Sequence, residues 1–345
     1  MPVVRSMPSE RGETLSKLLI TGGAGFIGGF LAKSLADQGH TVDLVDSLTR
    51  GRHDRFLTEL LASGRVTLLQ RDLLHAEALA DLADDYTHIF HFAAILGVRN
   101  VLERPYATLR DNVHLLETAL ALASRQSRLE RLVFSSTSEV YAGSLELMDM
   151  PIPTPERTPL ALPSLDQPRT SYMLSKLYGE AMVRHSGVPF TIIRPHNVYG
   201  PRMGMSHVIP ELLAKAYRAN DGGTIEVFSA DHRRTFCFIE DAVEMIRRAA
   251  TTASCAGEVL NVGNQSPEVT IGDLAEVVLR TVGKRLTIDP KPATPGSPTR
   301  RCPDMSRMAE LTGYRARVSL EEGVRRTYAW YRPMVFEGGE TEVTT

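Results

Sequence analysis

Cysteine is scarce in this sequence, and the few cysteines present are not arranged for cross-linking. The 345 residues include three of them, Cys237, Cys255 and Cys302, with no CxxC pair. An odd and scattered set argues against a disulfide framework and against a structural zinc site. The histidines show no ligand spacing either, so we expect no bound metal. This pattern is typical of a cytoplasmic protein.

Long apolar runs and an excess of one charge are also missing. No apolar run is long enough to span a bilayer, and residues 1–15, which we expect to form a flexible tail, lack the apolar core of a signal peptide. The chain has 39 basic and 41 acidic side chains, a formal net charge of −2. Such a balance provides little attraction for nucleic acid or for a membrane surface. We therefore expect a small-molecule partner.

Short β-like segments alternate with amphipathic helix-like segments over residues 16–200, from "KLLIT" to "FTIIRPHNVYG". This alternation predicts an α/β fold, a Rossmann-like doubly wound parallel sheet with helices on both faces. The alternation weakens afterwards, and we expect residues 201–345 to form mainly a smaller C-terminal substrate-binding lobe. The proline-rich segment 150–168 is expected to be an irregular loop that borders the site.

A glycine cluster lies where the first predicted strand meets the first predicted helix, in "LLITGGAGFIGG". Gly22, Gly25 and Gly28 follow a GxxGxxG spacing, and glycine lets a phosphate approach the N–H groups at the helix start. Asp46 follows Gly28 by 18 residues, where a carboxylate accepts hydrogen bonds from ribose hydroxyls and repels a 2′-phosphate. The pattern therefore predicts NAD rather than NADP, and the alternative is a tight turn without a ligand.

Tyr172 and Lys176 are four residues apart on a predicted helix, which places a phenol and an ammonium on one face. A nearby cation favours phenolate, so the sequence predicts that Lys176 lowers the Tyr172 pKa and makes Tyr172 a general base. The strand "RLVFSST" ends in consecutive polar residues from Ser135 to Glu139. Polar strand ends of this kind are where α/β sheets bind ligands.

Eight segments, in order, resemble the extended short-chain dehydrogenase/reductases, within them the NAD-dependent epimerase/dehydratase family of nucleotide-sugar enzymes. They are "TGGAGFIGG", "RDLL", "HFAA", "SSTSEVY", "YMLSK", "RPHNVYGPRM", "RRTFCFIEDAV" and "LNVGN". The resemblance covers roughly residues 17 to 332. It implies NAD as cofactor, a UDP-sugar or other nucleotide sugar as substrate, and a homodimer.

The resemblance also implies roles for individual residues. Tyr172 would deprotonate a sugar hydroxyl, Lys176 would also hold the nicotinamide ribose, and Ser136, Thr137 or Ser138 would hydrogen-bond the same oxygen. The cofactor-binding set is Gly22, Gly25, Phe26, Ile27, Gly28, Asp46, Asp72, Leu73, Ala93, Ala94, Ser135, Tyr172, Lys176 and Pro195. The substrate-binding set is Arg99, Ser138, Asn197, Arg202, His207, Val208, Arg234 and Arg301.

Enzymes of this family begin by oxidising the sugar C4 hydroxyl to a ketone, and the next step decides the product. Glu139 in "TSEVY" resembles the UDP-glucuronate decarboxylases, which makes decarboxylation the best single expectation. Ser138 stands where 4,6-dehydratases carry an aspartate, and His207 stands near the position where decarboxylases have an arginine. A 4-epimerase, a dehydratase, a dehydrogenase with exchangeable cofactor and a non-catalytic NAD-sensing module remain alternatives.

Overall fold

A computed structural model describes residues 16–51, 53–293 and 298–338, so the predicted tail at residues 1–15 lies outside the described residues. The strands are β1 (Lys17–Thr21), β2 (Thr41–Asp46), β3 (Val66–Gln70), β4 (His88–His91), β5 (Arg131–Ser135), β6 (Phe190–Pro195), β7 (Val198–Tyr199), β8 (Thr224–Phe228), β9 (Arg233–Arg234), β10 (Cys237–Phe238), β11 (Val259–Val262), β12 (Val269–Thr270), β13 (Thr287–Lys291) and β14 (Arg300–Arg301).

The α-helices are more numerous in the first two thirds of the chain and alternate there with the strands. They are α1 (Phe26–Asp37), α2 (Arg55–Ala62), α3 (Val98–Glu103), α4 (Pro105–Ser124), α5 (Ala142–Leu147), α6 (Arg169–His185), α7 (Val208–Arg218), α8 (Ile239–Thr251), α9 (Ile271–Val282), α10 (Ser306–Thr312) and α11 (Leu320–Tyr331). None of the described helices is both long enough and apolar enough to cross a bilayer.

The main sheet has seven parallel strands in the order β11-β6-β5-β4-β1-β2-β3. Side chains alternate along each strand, so Leu18 and Ile20 enter the core on one face while Leu19 enters the core on the other. Helices α1 and α8 cover the first face, and α4 and α6 cover the second. The predicted Rossmann-like α/β fold is confirmed.

The segment beyond residue 200 is built into the same sheet rather than standing apart. Strand β11 forms the edge next to β6, with Leu260 paired to Ile193. The remaining short strands pair as β7 with β10, β8 with β13, and β9 with both β12 and β14. The proline-rich loop is joined to this region through Thr154, whose N–H donates to the Cys302 carbonyl at 2.8 Å. These contacts place the proline-rich loop, β9 and β14 at one end of the main sheet.

Candidate active site

The glycine loop after β1 is shaped by close backbone approaches. Gly22 has a φ of +68°, and a Cβ there would lie 2.7 Å from the Ala93 nitrogen. A Cβ on Gly28 would lie 2.6 Å from the Gly22 carbonyl oxygen. Gly25 precedes α1 in extended conformation, no side chain caps the helix, and its first turn holds no acidic residue. The N–H groups at the helix start, including those of Phe26 and Ile27, are therefore left to an anion.

The expected adenosine-binding residues lie at the ends of β2 and β3, the two strands at one edge of the main sheet. Asp46 ends β2, where its carboxylate accepts hydrogen bonds from the Ala24 N–H at 3.0 Å and the Leu48 N–H at 2.8 Å. Burial raises its pKa, and these two N–H donors oppose the rise. Asp72 and buried Leu73 follow β3. A carboxylate fixed beside a helix start that carries unpaired donors fits the ribose and diphosphate of a dinucleotide.

Helix α6 presents Tyr172 and Lys176 to the end of β5, as their spacing predicts. The Lys176 ammonium donates to the Ser135 carbonyl at 2.9 Å and lies 5.9 Å from the centre of the Tyr172 ring. Lys176 is 4% exposed, and its burial lowers its pKa to about 8. Ala93 and Ala94 follow β4 on the neighbouring strand. The helix thus brings an ammonium to the strand end at which the nicotinamide side of the groove is expected.

The Tyr172 phenol is hydrogen-bonded to the Thr137 hydroxyl. Burial, with the nearby Glu139 charge, raises the Tyr172 pKa to about 12, although Thr137 and Arg50 oppose the rise. The predicted lowering by Lys176 is therefore wrong for this structure. The reason is that the ammonium is directed to the Ser135 carbonyl while a carboxylate lies near the phenol.

Ser136 belongs to a buried network rather than to the group around Tyr172. Its hydroxyl donates to the Glu180 carboxylate at 2.6 Å, and Arg194 donates to both oxygens of that carboxylate at 2.8 and 2.7 Å. Arg194 also donates to the Tyr141 hydroxyl at 2.7 Å. Of the three hydroxyl residues after Ser135, only Thr137 and Ser138 remain placed for the site. The network fixes the strand end from which they project.

A cluster of arginines surrounds Glu139 opposite the tyrosine. Arg301 Nη1 lies 2.7 Å from Glu139 Oε1 and 3.5 Å from the Ser138 hydroxyl oxygen. The parallel register of β9 and β14 places Arg234 beside Arg301. The Arg301 charge is the main cause that holds the Glu139 pKa below its usual range, with Arg169 and Arg234 adding to it. Glu139 is therefore an ionised carboxylate in a cationic pocket.

Three further predicted substrate residues lie between β6 and α7. Asn197 has a φ of +40°, and its amide donates to the Thr235 carbonyl at 2.9 Å. His207 precedes α7, whose first residue is Val208. Burial lowers the His207 pKa, with the Arg50 charge as a second cause. Neutral imidazole is thus the favoured form of His207.

Two predicted substrate residues are placed away from the arginine cluster. Arg202 Nε donates to Asp54 at 2.6 Å, and its guanidinium lies 4.5 Å from the centre of the Phe56 ring, against the glycine loop. Arg99 is paired with Glu103 on the exposed side of α3, at 3.1 Å. Pro195, predicted to contact the cofactor, ends β6 next to His196. The structure gathers Ser138, Arg234 and Arg301, and leaves Arg99 and Arg202 elsewhere.

Two arginines of this region were not among the predicted site residues. Arg169 begins α6, three residues before Tyr172, and acts electrostatically on Glu139. Its i, i+3 spacing to the tyrosine was the available signal. Arg50 lies in the loop after β2 and acts on both Tyr172 and His207. No local sequence pattern indicates that Arg50 acts on these two residues, because the interaction depends on how segments distant in the chain pack together.

The glycine loop, the Asp46 carboxylate beside it and the Tyr172–Lys176 pair are the arrangement expected of an enzyme that uses a nicotinamide dinucleotide. The chain belongs to the NAD dependent epimerase/dehydratase family, whose model matches residues 18–263. The chain is thus an enzyme with NAD as its cofactor, as predicted.

Similar proteins within this family carry several activities. A UDP-N-acetyl-alpha-D-glucosaminuronate decarboxylase from Bacillus cytotoxicus is 29% identical, over 92% of this chain and 98% of the relative. UDP-glucuronic acid decarboxylase 1 from Arabidopsis thaliana is also 29% identical, over 97% of this chain and 74% of the relative. A crystal structure of a UDP-galactose 4-epimerase is 28% identical, with a TM-score of 0.75, and covers 92% of this chain and 99% of that chain.

Proposed function

We propose that the protein decarboxylates a UDP-hexuronate, UDP-glucuronate being the best single candidate, through transient oxidation of the sugar at C4. The observation that carries the proposal is the ionised Glu139 carboxylate, held 2.7 Å from Arg301 beside the tyrosine. Two relatives that match nearly the whole chain are decarboxylases of UDP-linked uronates. The residues and the relatives therefore favour the same reaction.

The first step places Tyr172 against the sugar C4 hydroxyl. Tyr172 acts as the base in its phenolate form, which requires the bound dinucleotide, cationic at its nicotinamide, to lower the Tyr172 pKa from about 12, and the Thr137 hydroxyl stabilises the oxygen that carries the negative charge. Bound NAD supplies the hydride acceptor, held at the glycine loop by Gly22, Gly25, Phe26, Ile27 and Gly28, at the ribose by Asp46, and near Asp72, Leu73, Ala93, Ala94, Ser135 and Pro195. Lys176, whose ammonium donates to the Ser135 carbonyl, orients the nicotinamide ribose in this proposal.

The second step follows from the ketone. A C4 ketone makes the C6 carboxylate that of a β-keto acid, so the C5–C6 bond breaks, carbon dioxide leaves, and its bonding electrons move into the enolate. A proton must then reach C5, and Glu139 orients the donor. Return of the hydride to C4 restores the alcohol. The reaction consumes no net oxidant.

The anionic groups of the substrate meet the arginine cluster. A UDP-hexuronate carries a diphosphate and a carboxylate, and paired guanidinium groups suit both. Arg234 and Arg301 are adjacent on β9 and β14, and the buried Arg301 Nε has no hydrogen-bond partner among the described residues. In our proposal these two arginines bind the anionic part, while Ser138, Asn197, His207 and Val208 contact the sugar and nucleoside. Arg99 and Arg202 keep their predicted substrate role only if substrate binding rearranges their ion pairs.

Product analysis tests the proposal directly. The protein is incubated separately with UDP-glucuronate, UDP-N-acetylglucosaminuronate and UDP-glucose, without added NAD, and the products are identified by mass spectrometry. We expect one of the uronates to lose carbon dioxide and UDP-glucose to keep its mass. Absence of decarboxylation of both uronates would rule out the proposed reaction.

A 4-epimerase is the second candidate, favoured by the fold-wide similarity to a UDP-galactose 4-epimerase. It shares the oxidation by Tyr172 but returns the hydride to the opposite face of the sugar. The product would keep the substrate mass and change its stereochemistry at C4. The same incubation, followed by separation of the two epimers, distinguishes this outcome.

We also propose a cytoplasmic homodimer. The cytoplasmic assignment is supported by three buried cysteines that carry free thiols. The dimer is supported by Tyr106 on α4 and Tyr178 on α6, which are 73% and 54% exposed on the outer surface of neighbouring helices. Large exposed aromatic side chains of this kind are common at protein interfaces. No nucleic-acid partner is proposed.

A further inference from the structure

Arg50 connects two loops that are far apart in sequence. It lies between β2 and α2, and its Nη1 donates to the Leu96 carbonyl, after β4, at 2.8 Å. The guanidinium rests against Gly97, where a Cβ would lie 3.7 Å from both Nη1 and Nη2. Gly97 has a φ of +105°, so the backbone also turns at this contact. The two loops are thus joined by a single side chain.

The position of this link follows from the order of the strands. Strand β1 lies between β2 and β4 in the sheet. All three strands are parallel, so the loops after them leave from the same edge. A bond from the loop after β2 to the loop after β4 therefore passes over the glycine loop after β1. Arg50 therefore lies at the same edge of the sheet as the helix start with its N–H groups.

The charge of Arg50 is not neutralised by the protein around it. No carboxylate of the described residues is among the groups that act on the Arg50 charge; the group that does is the Tyr172 phenol. Arg50 is an exposed residue, and partial enclosure of its guanidinium lowers its pKa. The Leu96 carbonyl uses one of its N–H donors and leaves others for an anion.

We propose that Arg50 is a strap that closes over the pyrophosphate of NAD on the glycine loop and retains the dinucleotide between turnovers. Its guanidinium covers the pyrophosphate from the side opposite the helix start, while the bond to Leu96 keeps the strap closed. Retention matters for an enzyme that stores a hydride on the cofactor during part of its cycle. The inference rests on the cofactor alone and needs no particular sugar substrate.

The rate of NADH release tests the strap. The protein is loaded with NADH, mixed with a large excess of NAD, and followed by nicotinamide fluorescence. Loss of a charge-assisted contact in Arg50→Gln should speed release by about tenfold or more. Arg50→Lys, which keeps the charge, should fall between Arg50→Gln and the wild type. Arg55→Gln, a matched loss of an exposed arginine on α2, should release NADH at the wild-type rate.

Binding of ADP-ribose and of adenosine distinguishes the loss of a pyrophosphate contact from a general distortion of the cofactor-binding groove. Arg50→Gln should weaken binding of ADP-ribose by the same factor and leave binding of adenosine unchanged. Wild-type NADH release in Arg50→Gln would overturn the proposal, even if the variant had a raised KM for a nucleotide sugar. Equal weakening of adenosine and ADP-ribose would overturn it as well. Because no nucleotide sugar enters these measurements, a failed decarboxylation assay does not affect their outcome.

Discussion

At the scale of single residues, the site depends on two charged side chains, a buried Lys176 and a partly exposed Glu139. The Lys176 ammonium is buried with a carbonyl as its hydrogen-bond acceptor, and desolvation lowers its pKa to about 8. Glu139 is held ionised by arginines that lie on other elements. The buried Lys176 charge costs stability in the folded chain, whereas the lowered Glu139 pKa shows that the Glu139 charge stabilises it. Stability and activity should therefore respond in opposite directions when the Lys176 charge is removed.

We predict that Lys176→Met is more stable than the wild type and inactive. The unfolded chain keeps the Lys176 pKa near the ordinary 10.5, whereas the folded chain lowers it to about 8, so below pH 8 a charge is buried at a cost. The variant should gain about 1–3 kcal/mol at pH 7.

The wild type loses its proton first in the folded state, so the stability difference from Lys176→Met should shrink as the pH rises from about 8 to 10.5. Chemical denaturation of both proteins across this range measures it. A difference that does not change with pH would contradict the buried cation. Tyr172→Phe provides the control, because it is inactive for a different reason and keeps Lys176.

We predict that Glu139→Gln reduces kcat by about 10²–10⁴-fold, the usual range for a residue that directs proton transfer. The amide keeps the size of the side chain and removes the charge that Arg301 pairs with. Glu146→Gln on α5, an exposed neighbour, is the control and should keep wild-type kcat. Because the Arg301 charge lowers the Glu139 pKa, protonation of this group should reduce wild-type activity only at acidic pH and not near neutrality. An unchanged kcat in Glu139→Gln would remove the residue from the mechanism.

At the scale of elements, the sequence predicts those features of the site that depend on residues close together in the chain. The glycine loop, Asp46 and the pair on α6 each lie within one strand–loop–helix unit, and the structure places them as their spacing indicates. Contacts between distant elements were not predictable. Arg202 pairs with Asp54 across 148 residues, and the pairing of Glu139 with Arg301 spans 162. The Tyr172 pKa was predicted in the wrong direction for the same reason, since it depends on Glu139 and on burial.

The glycine loop offers a matched pair of substitutions. Gly22 and Gly187 have similar φ angles, +68° and +77°, but a Cβ at Gly22 would collide with Ala93 whereas none of the protein lies within 4 Å of one at Gly187. Gly187→Ala should cost about 1 kcal/mol from backbone strain alone, and Gly22→Ala should cost about 1–3 kcal/mol more. Thermal unfolding and NAD titration measure both effects. Only Gly22→Ala should lose NAD affinity, and equal stability losses would refute the steric explanation.

At the scale of the whole molecule, the segment beyond residue 200 is joined to the main sheet by strand pairing and side-chain contacts. Strand β11 completes the sheet beside β6, and the Tyr331 hydroxyl hydrogen-bonds the Met203 carbonyl. Arg202 ties the start of this segment to the loop before α2. Arg234 on β9 and Arg301 on β14, which we propose bind the substrate, are thereby held at a fixed position relative to the glycine loop. A displacement of the segment beyond residue 200 should therefore also displace the main sheet, and the reverse.

The proposed dimer surface is the outer surface of α4 and α6, which cover one face of the main sheet. These helices are locked to each other by a hydrogen bond between Asn112 and Ser175 at 3.2 Å, and Tyr178 faces outward from the second helix. We predict that Tyr178→Glu shifts the protein from dimer to monomer in analytical ultracentrifugation. Phe228→Glu, an equally accessible aromatic on β8, should leave the assembly unchanged. A monomeric wild type, or a Tyr178→Glu dimer of wild-type affinity, would contradict the assignment of this surface.

The central claim is that a hydride leaves C4 of a uronate and returns to the same carbon. The most direct measurement uses UDP-glucuronate with deuterium at C4 in ordinary water, followed by mass and NMR analysis of the product. The account predicts a decarboxylated UDP-pentose that keeps its deuterium at C4, with no NADH in the medium. A product that has lost the C4 deuterium to water would contradict the account, and so would decarboxylation that continues at the wild-type rate in Tyr172→Phe.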